Sequence, residues 1–432
     1  MNVLAEKIRG LKNSSFARHN AIFFVGSVGV GALNYLYYPI LGRMLSPAAF
    51  GEVQTLVSFF LQLSIFLTVL GLVTVNIAAN YENAESRNRV IFDLERIALA
   101  VSLVLLVVSV LARHQLQKFF QFDDSLPFIV LVLAVVVSVP FTFRGAFVRG
   151  RHGFGVASIS NVIASAVKIV LSAAFVLVGL GTAGAIWGVT AAQFIALIYI
   201  AYWARRMGLT RAAETKWTSR PNMTLLLPEL KYAGLVLVTS LVVTLQFSID
   251  ILVVKHYFDA RTAGLYAGIA TVARIIFFLT GSISQVLMPM VKIKNTAAEN
   301  RALFKKSFGL LMLTGVPALL VFMLAPGVVM RILMGSQYDQ YASLLPILSV
   351  AIFVVAFVNL VVSYYMALRH YAIALVVIAG AAITYILMFT HHATLRDVIE
   401  SLLLGSLSMI VLCAGLMIGN RWFKNKGRQR VS

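Results

Sequence analysis

Twelve hydrophobic runs, each separated from the next by a short polar stretch, leave this chain few ways to fold. They cover roughly residues 20–42, 50–78, 97–112, 127–147, 154–180, 183–204, 232–256, 262–290, 304–326, 342–367, 371–390 and 398–420. About 20 apolar residues of helix cross a bilayer core. No water reaches that core to satisfy backbone N–H and C=O groups, so runs of this length cross as helices. With 60% hydrophobic and 12% charged residues, the chain also lacks the polar surface a soluble protein of 432 residues needs. The expected fold is all-α integral membrane, with 12 transmembrane helices. The run at 97–112 is short, whereas 50–78 and 262–290 are long enough to require tilt.

The formal net charge of +20 does not describe a nucleic-acid surface, because the basic residues recur between the hydrophobic runs. Assigned to alternating sides, 27 of the 36 Lys and Arg fall on one side and 7 on the other. Lys168 and Arg274 lie within runs. Positive charge stays cytoplasmic, so both termini are expected inside, which requires an even number of spans. The first run is followed by a second long one and reads as retained rather than as a cleaved signal. The single cysteine, Cys413, excludes an intramolecular disulfide framework. No P-loop, G-x-S-x-G or H-E-x-x-H pattern occurs, so no enzyme chemistry is expected. His391 and His392 are adjacent on an outer turn, a poor arrangement for sharing a metal.

The chain repeats itself. LSPAAFGEV (45–53) follows the first run, and FDARTAGLY (258–266) follows the seventh, about half the chain further on. ESRNR (85–89) and AENR (298–301) lie at nearly the same offset, and DDSLPF (123–128) and ASLLPI (342–347) follow in the same order. These matches argue for two six-helix repeats of like orientation, related by an axis along the membrane normal. The expected organisation is an N-terminal lobe over 1–206, a cytoplasmic linker over 207–231, a C-terminal lobe over 232–420 and a basic cytoplasmic tail over 421–432.

GRMLSPAAFGEVQTL (42–56) resembles the first external turn of polysaccharide flippases of the multidrug/oligosaccharidyl-lipid/polysaccharide exporter superfamily. SIDILVVKHYFDARTAGLYAGIATVARI (248–275) is similar to the seventh and eighth spans of that family, with its acidic residue at Asp250 and its small-Gly-Leu-Tyr turn at Ala263, Gly264, Leu265 and Tyr266. SLLPILS (343–349) resembles the start of its tenth span. The resemblance implies a V-shaped pair of lobes around a central cleft, alternating access to move lipid-linked sugars from the inner to the outer leaflet of the bacterial inner membrane. The two extra C-terminal spans of the lipid II branch are not seen, which favours an O-antigen or exopolysaccharide repeat unit over a peptidoglycan precursor. The implied cargo is a polyprenyl-pyrophosphate-linked oligosaccharide, with a polysaccharide polymerase or glycosyltransferase as candidate partner. No cofactor is implied beyond a coupling ion, proton or sodium.

A charge at bilayer depth is expensive, so it faces a partner or a wet cavity. Asp250 and Arg274 either pair or bind an ion and the cargo separately. Lys168, about fifteen residues into its run, is too deep to reach the headgroups easily and is expected to face a cavity. Arg144 and Arg149, with Arg151, either collect a pyrophosphate headgroup or are ordinary positive-inside residues. Gln246 and Gln285 either line the cavity or hydrogen-bond between helices. Tyr37, with Asn34, Tyr35 and Tyr38, suits a sugar ring or the interfacial aromatic belt. A drug or cation antiporter of the same fold is the nearest alternative, and a membrane polysaccharide polymerase or ligase a more distant one.

Overall fold

A computed structural model of the chain describes residues 15–210, 223–291, 295–368, 370 and 372–429. Side chains before residue 29 and after residue 415 fall outside the described residues, as do part of those between 223 and 243 and five between 282 and 289. The expected linker 207–231, the basic tail and the side chain of Gln285 therefore lie largely or wholly outside them.

The element order runs twice. The first pass comprises α1 (Ser15–Met44), α2 (Pro47–Leu63), α3 (Ile65–Asn80), α4 (Ala84–Leu111), the short α5 (Arg113–Phe119), α6 (Leu126–Gly150), α7 (Phe154–Phe175) and α8 (Gly181–Arg206). The second comprises α9 (Met223–Tyr257), α10 (Ala260–Ala273), α11 (Ile275–Met290), α12 (Ala297–Leu324), the short α13 (Pro326–Leu333), α14 (Leu345–Ala367), α15 (Ala372–Thr390) and α16 (Leu395–Gln429). A tight turn, Ser336–Leu344, precedes α14. The starts of α2, α4 and α5 precede those of α10, α12 and α13 by one constant offset, the same that separates LSPAAFGEV from FDARTAGLY.

The same spacing governs the signals that start these helices. Ser46 accepts the Ala49 N–H at the start of α2, and Asp259 accepts those of Arg261 and Thr262 at α10. Asn83 caps α4, and Thr296 with Glu299 forms a reciprocal capping box at α12. Each cap satisfies N–H groups that the first turn of a helix leaves without partners. The bonds from Thr262 and the backbone hold the Asp259 carboxyl below its usual range. Both long runs are broken: α2 meets α3 at Ser64 with a bend of 40°, and α10 gives way to α11 at Arg274.

Among the described residues, nine helical stretches are long and apolar enough to cross a membrane, or ten with the bent α2–α3 pair as one span. That reckoning takes Phe154–Arg206 as a single stretch. It is in fact a hairpin, α7 and α8, turned at Gly179 (φ 88°) and Gly181 (φ 49°), where a side chain would be strained. Large aliphatic side chains stand exposed along the second half of α4, including Val104, Val107, Val108 and Leu111. Such a face suits hydrocarbon, and the chain is a multi-pass membrane protein.

One expectation is corrected. The short third run, 97–112, is the apolar half of a 28-residue helix, α4, that starts at Ala84. The earlier half carries Arg87, Asp93 and Glu95, which are charged and yet buried against neighbouring helices. Hydropathy reads such a segment as loop because it scores polarity and not packing.

The chain divides into two compact units: residues 1–49 with 59–237, and Phe50–Ser58 with 238–432. The core of the first gathers Ile91, Leu94, Val135, Val139, Phe143 and Phe147 from α4 and α6. In the second, Val358, Val361, Ile373, Val377 and Met409 from α14, α15 and α16 pack together. Close helix approach depends on small residues, as it does wherever apolar surface alone gives no preference for protein over lipid. In α8, Gly188 lies against the backbone of Ser172; in α16, Gly405 lies against Thr384. Within the second unit Gly51 meets Gly264, its counterpart in the second repeat; a Cβ on Gly51 would stand 2.7 Å from the Gly264 Cα. Backbone cannot yield there as a side chain would. Gly51→Ala is expected to destabilise the protein by about 1–3 kcal/mol. Gly155→Ala, where nothing lies within 4 Å, is the matched control. Thermal unfolding in detergent checks both.

Candidate functional site

In the second unit, the break between α10 and α11 places Arg274 beside α9. Its Nη2 lies 2.6 Å from Asp250 Oδ1, and Tyr266 Oη donates to Asp250 Oδ2 at 2.9 Å. Arg274 also donates through Nε and Nη2 to the Phe247 carbonyl, at 3.2 and 2.9 Å, and its guanidinium stands 5.0 Å from the centre of the Phe247 ring. Asp250 is fully buried and Arg274 is 6% exposed. Of the two arrangements open to these residues, the pair is the one present. Desolvating two charges is compensated only where geometry is good and the remaining donors and acceptors are bonded, and here both carboxylate oxygens are engaged.

Two glutamines serve the same unit. Gln54 donates to Thr271 on α10. Gln246 on α9 donates to Thr384 (3.0 Å) and Ser406 (3.2 Å), tying together α9, α15 and α16; its Oε1 is buried without a partner.

In the first unit, Lys168 on α7 sits between two α1 side chains. Its Nζ donates to Asn34 Oδ1 at 2.6 Å and stands 4.5 Å from the centre of the Tyr37 ring. Ser165 reaches the same Asn34 oxygen at 3.4 Å. Tyr37 is buried, donates to the Ala185 carbonyl at 3.4 Å and meets Tyr38 edge to face. Among the described residues no carboxylate pairs with Lys168. An amide oxygen and an aromatic face steady an ammonium but leave its charge in place. Among the described residues Lys168 is thus a cation without a carboxylate partner, whereas Arg274 is a neutralised one.

At the basic-rich ends of α4, α6 and α8, Arg144 forms an ion pair with Glu95 and its guanidinium stands 5.9 Å from the Phe92 ring centre. Arg96 pairs with Asp93 one turn away, at 3.3 Å. Arg149 carries a buried Nε without a hydrogen-bond partner, and Arg151 is exposed. A cavity of about 530 Å³ opens here, lined by Glu95, Arg96, Arg144 and Arg205. Sequence reasoning misses Glu95 because hydropathy starts the run at 97 and leaves it outside. The signal available is its place four residues N-terminal to apolar Leu99 on a capped helix.

Comparison with known families decides the affiliation. The family model described as polysaccharide biosynthesis protein matches residues 40–343. The chain belongs to this family. The matched stretch includes Glu95, Arg144, Lys168, Asp250 and Arg274. No curated protein sequence matches this polysaccharide biosynthesis protein significantly. Its fold is similar to that of the lipid II flippase MurJ in an inward closed conformation, with TM-score 0.73 and 12% identity over 93% of this chain and 87% of that one. It is also similar to an inward-facing multidrug resistance MATE family transporter of the MOP superfamily, with TM-score 0.68 and 15% identity over 91% and 96% of the two chains. The MATE multidrug transporter DinF-BH gives 0.67 and 14% over 93% and 94%.

The buried pair gives a direct prediction. Arg274→Ala strands Asp250 and is expected to cost about 3–5 kcal/mol. The double substitution Asp250→Ala/Arg274→Ala is expected to cost less than the two single changes added together, because neither charge is then left alone. Chemical denaturation of the wild type and three variants in micelles measures the coupling.

Proposed function

We propose that this polysaccharide biosynthesis protein is a flippase that moves a polyprenyl-pyrophosphate-linked oligosaccharide, an O-antigen or exopolysaccharide repeat unit, from the inner to the outer leaflet of the bacterial inner membrane. The family match over residues 40–343 carries this reading. The physical task is to give hydroxyls and phosphates polar partners while the lipid tail remains among acyl chains. An unsatisfied hydroxyl in hydrocarbon costs several kcal/mol, so the path must be polar.

Lys168 supports the reading most directly. A cation placed deep in a span without a counter-ion attracts the pyrophosphate or an acidic sugar, and Asn34 and Tyr37 hold its ammonium in place. Tyr37 is buried with its ring against Lys168, so its part is to seat the ammonium and not to stack a sugar ring. Asp250 and Arg274 act together: an ion arriving at Asp250 releases Arg274, and an anionic cargo at Arg274 releases Asp250. Alternating access then draws on an ion gradient, the membrane potential or consumption of the product outside. A polymerase or glycosyltransferase is the natural partner for such a step.

A drug or cation antiporter is the second reading, favoured by the similarity in fold to MATE transporters. It differs in the sign of charge it needs. A cationic drug is repelled by Lys168, and Asp250 is already engaged by Arg274.

Reconstitution separates the two. In proteoliposomes holding a fluorescent polyprenyl-diphospho-oligosaccharide, the wild type is expected to transfer label between leaflets. Lys168→Ala is expected to slow transfer about tenfold or more, since a hydrogen bond to a charged group is worth about 1.5–3 kcal/mol. Efflux of a cationic dye with no lipid transfer would instead favour the antiporter, and elongated glycan product without leaflet transfer would favour an enzyme.

A further inference from the structure

The two repeats each hold a cavity in the same place, and its chemistry differs between them. In the first unit it lies between α4, α6 and α8, and in the second between α12, α14 and α16, their counterparts. Leu197 and Ala201 line the first; Ile410 and Ala414, which follow them by the offset that relates the helix starts, line the second. The second, of about 700 Å³, is walled mainly by apolar and aromatic side chains such as Phe304, Phe357, Val361 and Cys413. The first sets four charged side chains, Glu95, Arg96, Arg144 and Arg205, among apolar ones such as Phe92, Pro140 and Leu197, where the second has Arg301. The fold therefore closes this position without a four-charge wall, and the charges in the first unit answer to something else.

They are also incompletely used. Glu95 is 5% exposed; one of its oxygens takes Arg144, while Oε2 is buried with no hydrogen-bond partner among the described residues. A buried carboxylate oxygen with open lone pairs, on a side chain that lines a cavity, calls for a donor. Three guanidiniums in the same wall disfavour a cation there, so the donor that fits is neutral, a hydroxyl or an amide N–H. Arg205 is exposed and has no ion-pair partner among the described residues. Guanidiniums present forked donors that match phosphate oxygens. Arginine for phosphate and carboxylate for hydroxyl, side by side, is the donor and acceptor set of a sugar joined to a diphosphate.

We propose that the cavity between α4, α6 and α8 is a docking site for the glycosyl-diphosphate headgroup, in which Arg144 and Arg205 hold the phosphates and Glu95 accepts a hydroxyl or amide hydrogen of the first sugar. The proposal rests on the flippase reading and adds the part of the cargo that is read and the residues that read it. Glu95 has two tasks: it neutralises Arg144 while the site is empty, and it discriminates a sugar-bearing diphosphate from a bare one. The polar wall lies at the helix ends where Lys and Arg are concentrated, the side at which cargo is loaded if those ends are cytoplasmic.

Binding to the purified full-length protein in detergent tests this with three probes: inorganic pyrophosphate, farnesyl diphosphate and farnesyl-diphospho-N-acetylglucosamine. The wild type is expected to bind the sugar-bearing probe about tenfold more tightly than farnesyl diphosphate, as a well-placed hydrogen bond to a charged group allows. Inorganic pyrophosphate is expected to compete weakly with both. Arg205→Ala, at an exposed position that leaves the core intact, is expected to weaken both lipid probes about tenfold. Glu95→Leu, which removes the acceptor, is expected to abolish the preference for the sugar while binding farnesyl diphosphate at least as well, because Arg144 is freed. A preference for the sugar that survives Glu95→Leu, or lipid-probe affinities that ignore Arg205→Ala, overturns the proposal. Equal binding of inorganic pyrophosphate and the sugar-bearing probe overturns it as well, by making the site one for free anion. If leaflet transfer proceeds in proteoliposomes while these variants behave as wild type, the docking site fails and the flippase reading stands. If no diphosphate lipid binds and none is transferred, both fail.

Discussion

The expense of a charge away from water governs what this chain builds. A soluble protein lets most charged side chains reach solvent. Here Asp250 lies inside a span and has no such exit; the Arg274 guanidinium, at the break between α10 and α11, meets the carboxylate at 2.6 Å, while Tyr266 donates to its other oxygen and the Phe247 carbonyl accepts from Arg274. The same rule makes Lys168 informative. Its neighbours supply one amide oxygen and one aromatic face, enough to orient an ammonium but not to cancel it. A charge inside a span faces either a partner or a wet cavity, and at Lys168 no carboxylate partner is present among the described residues.

Doubling of the element order sets the second theme. Caps recur at Ser46 and Asp259 and at Asn83 and Thr296, span breaks recur at Ser64 and Arg274, and small residues seat the α7–α8 and α15–α16 hairpins alike. What changes between the repeats is the lining of equivalent spaces. Backbone and packing were kept, because a glycine contact or a cap tolerates little alteration. Cavity walls diverged, because a side chain facing a void changes without disturbing its helix.

Much of this was legible beforehand for identifiable reasons. Runs of about 20 apolar residues have one outcome in lipid. A constant offset of about half the chain is visible in the motifs as well as in the helix starts. Asp250, Arg274 and Lys168 stand out because charge is rare in such runs. Harder to read was the charged half of α4, where Arg87, Asp93 and Glu95 are buried by packing that hydropathy does not register. Partnership was harder still: Glu95 and Arg144 are 49 residues apart, and nothing local in either segment announces the other.

By itself the sequence determined that the chain is a multi-pass bundle of helices and which few charges must lie within its apolar runs. These follow from local composition measured against the fixed thickness of a bilayer. Only the tertiary structure decided which charges cancel and which remain. Cancellation depends on close approach, at hydrogen-bond distance, across helices distant in the chain, and packing alone sets that distance.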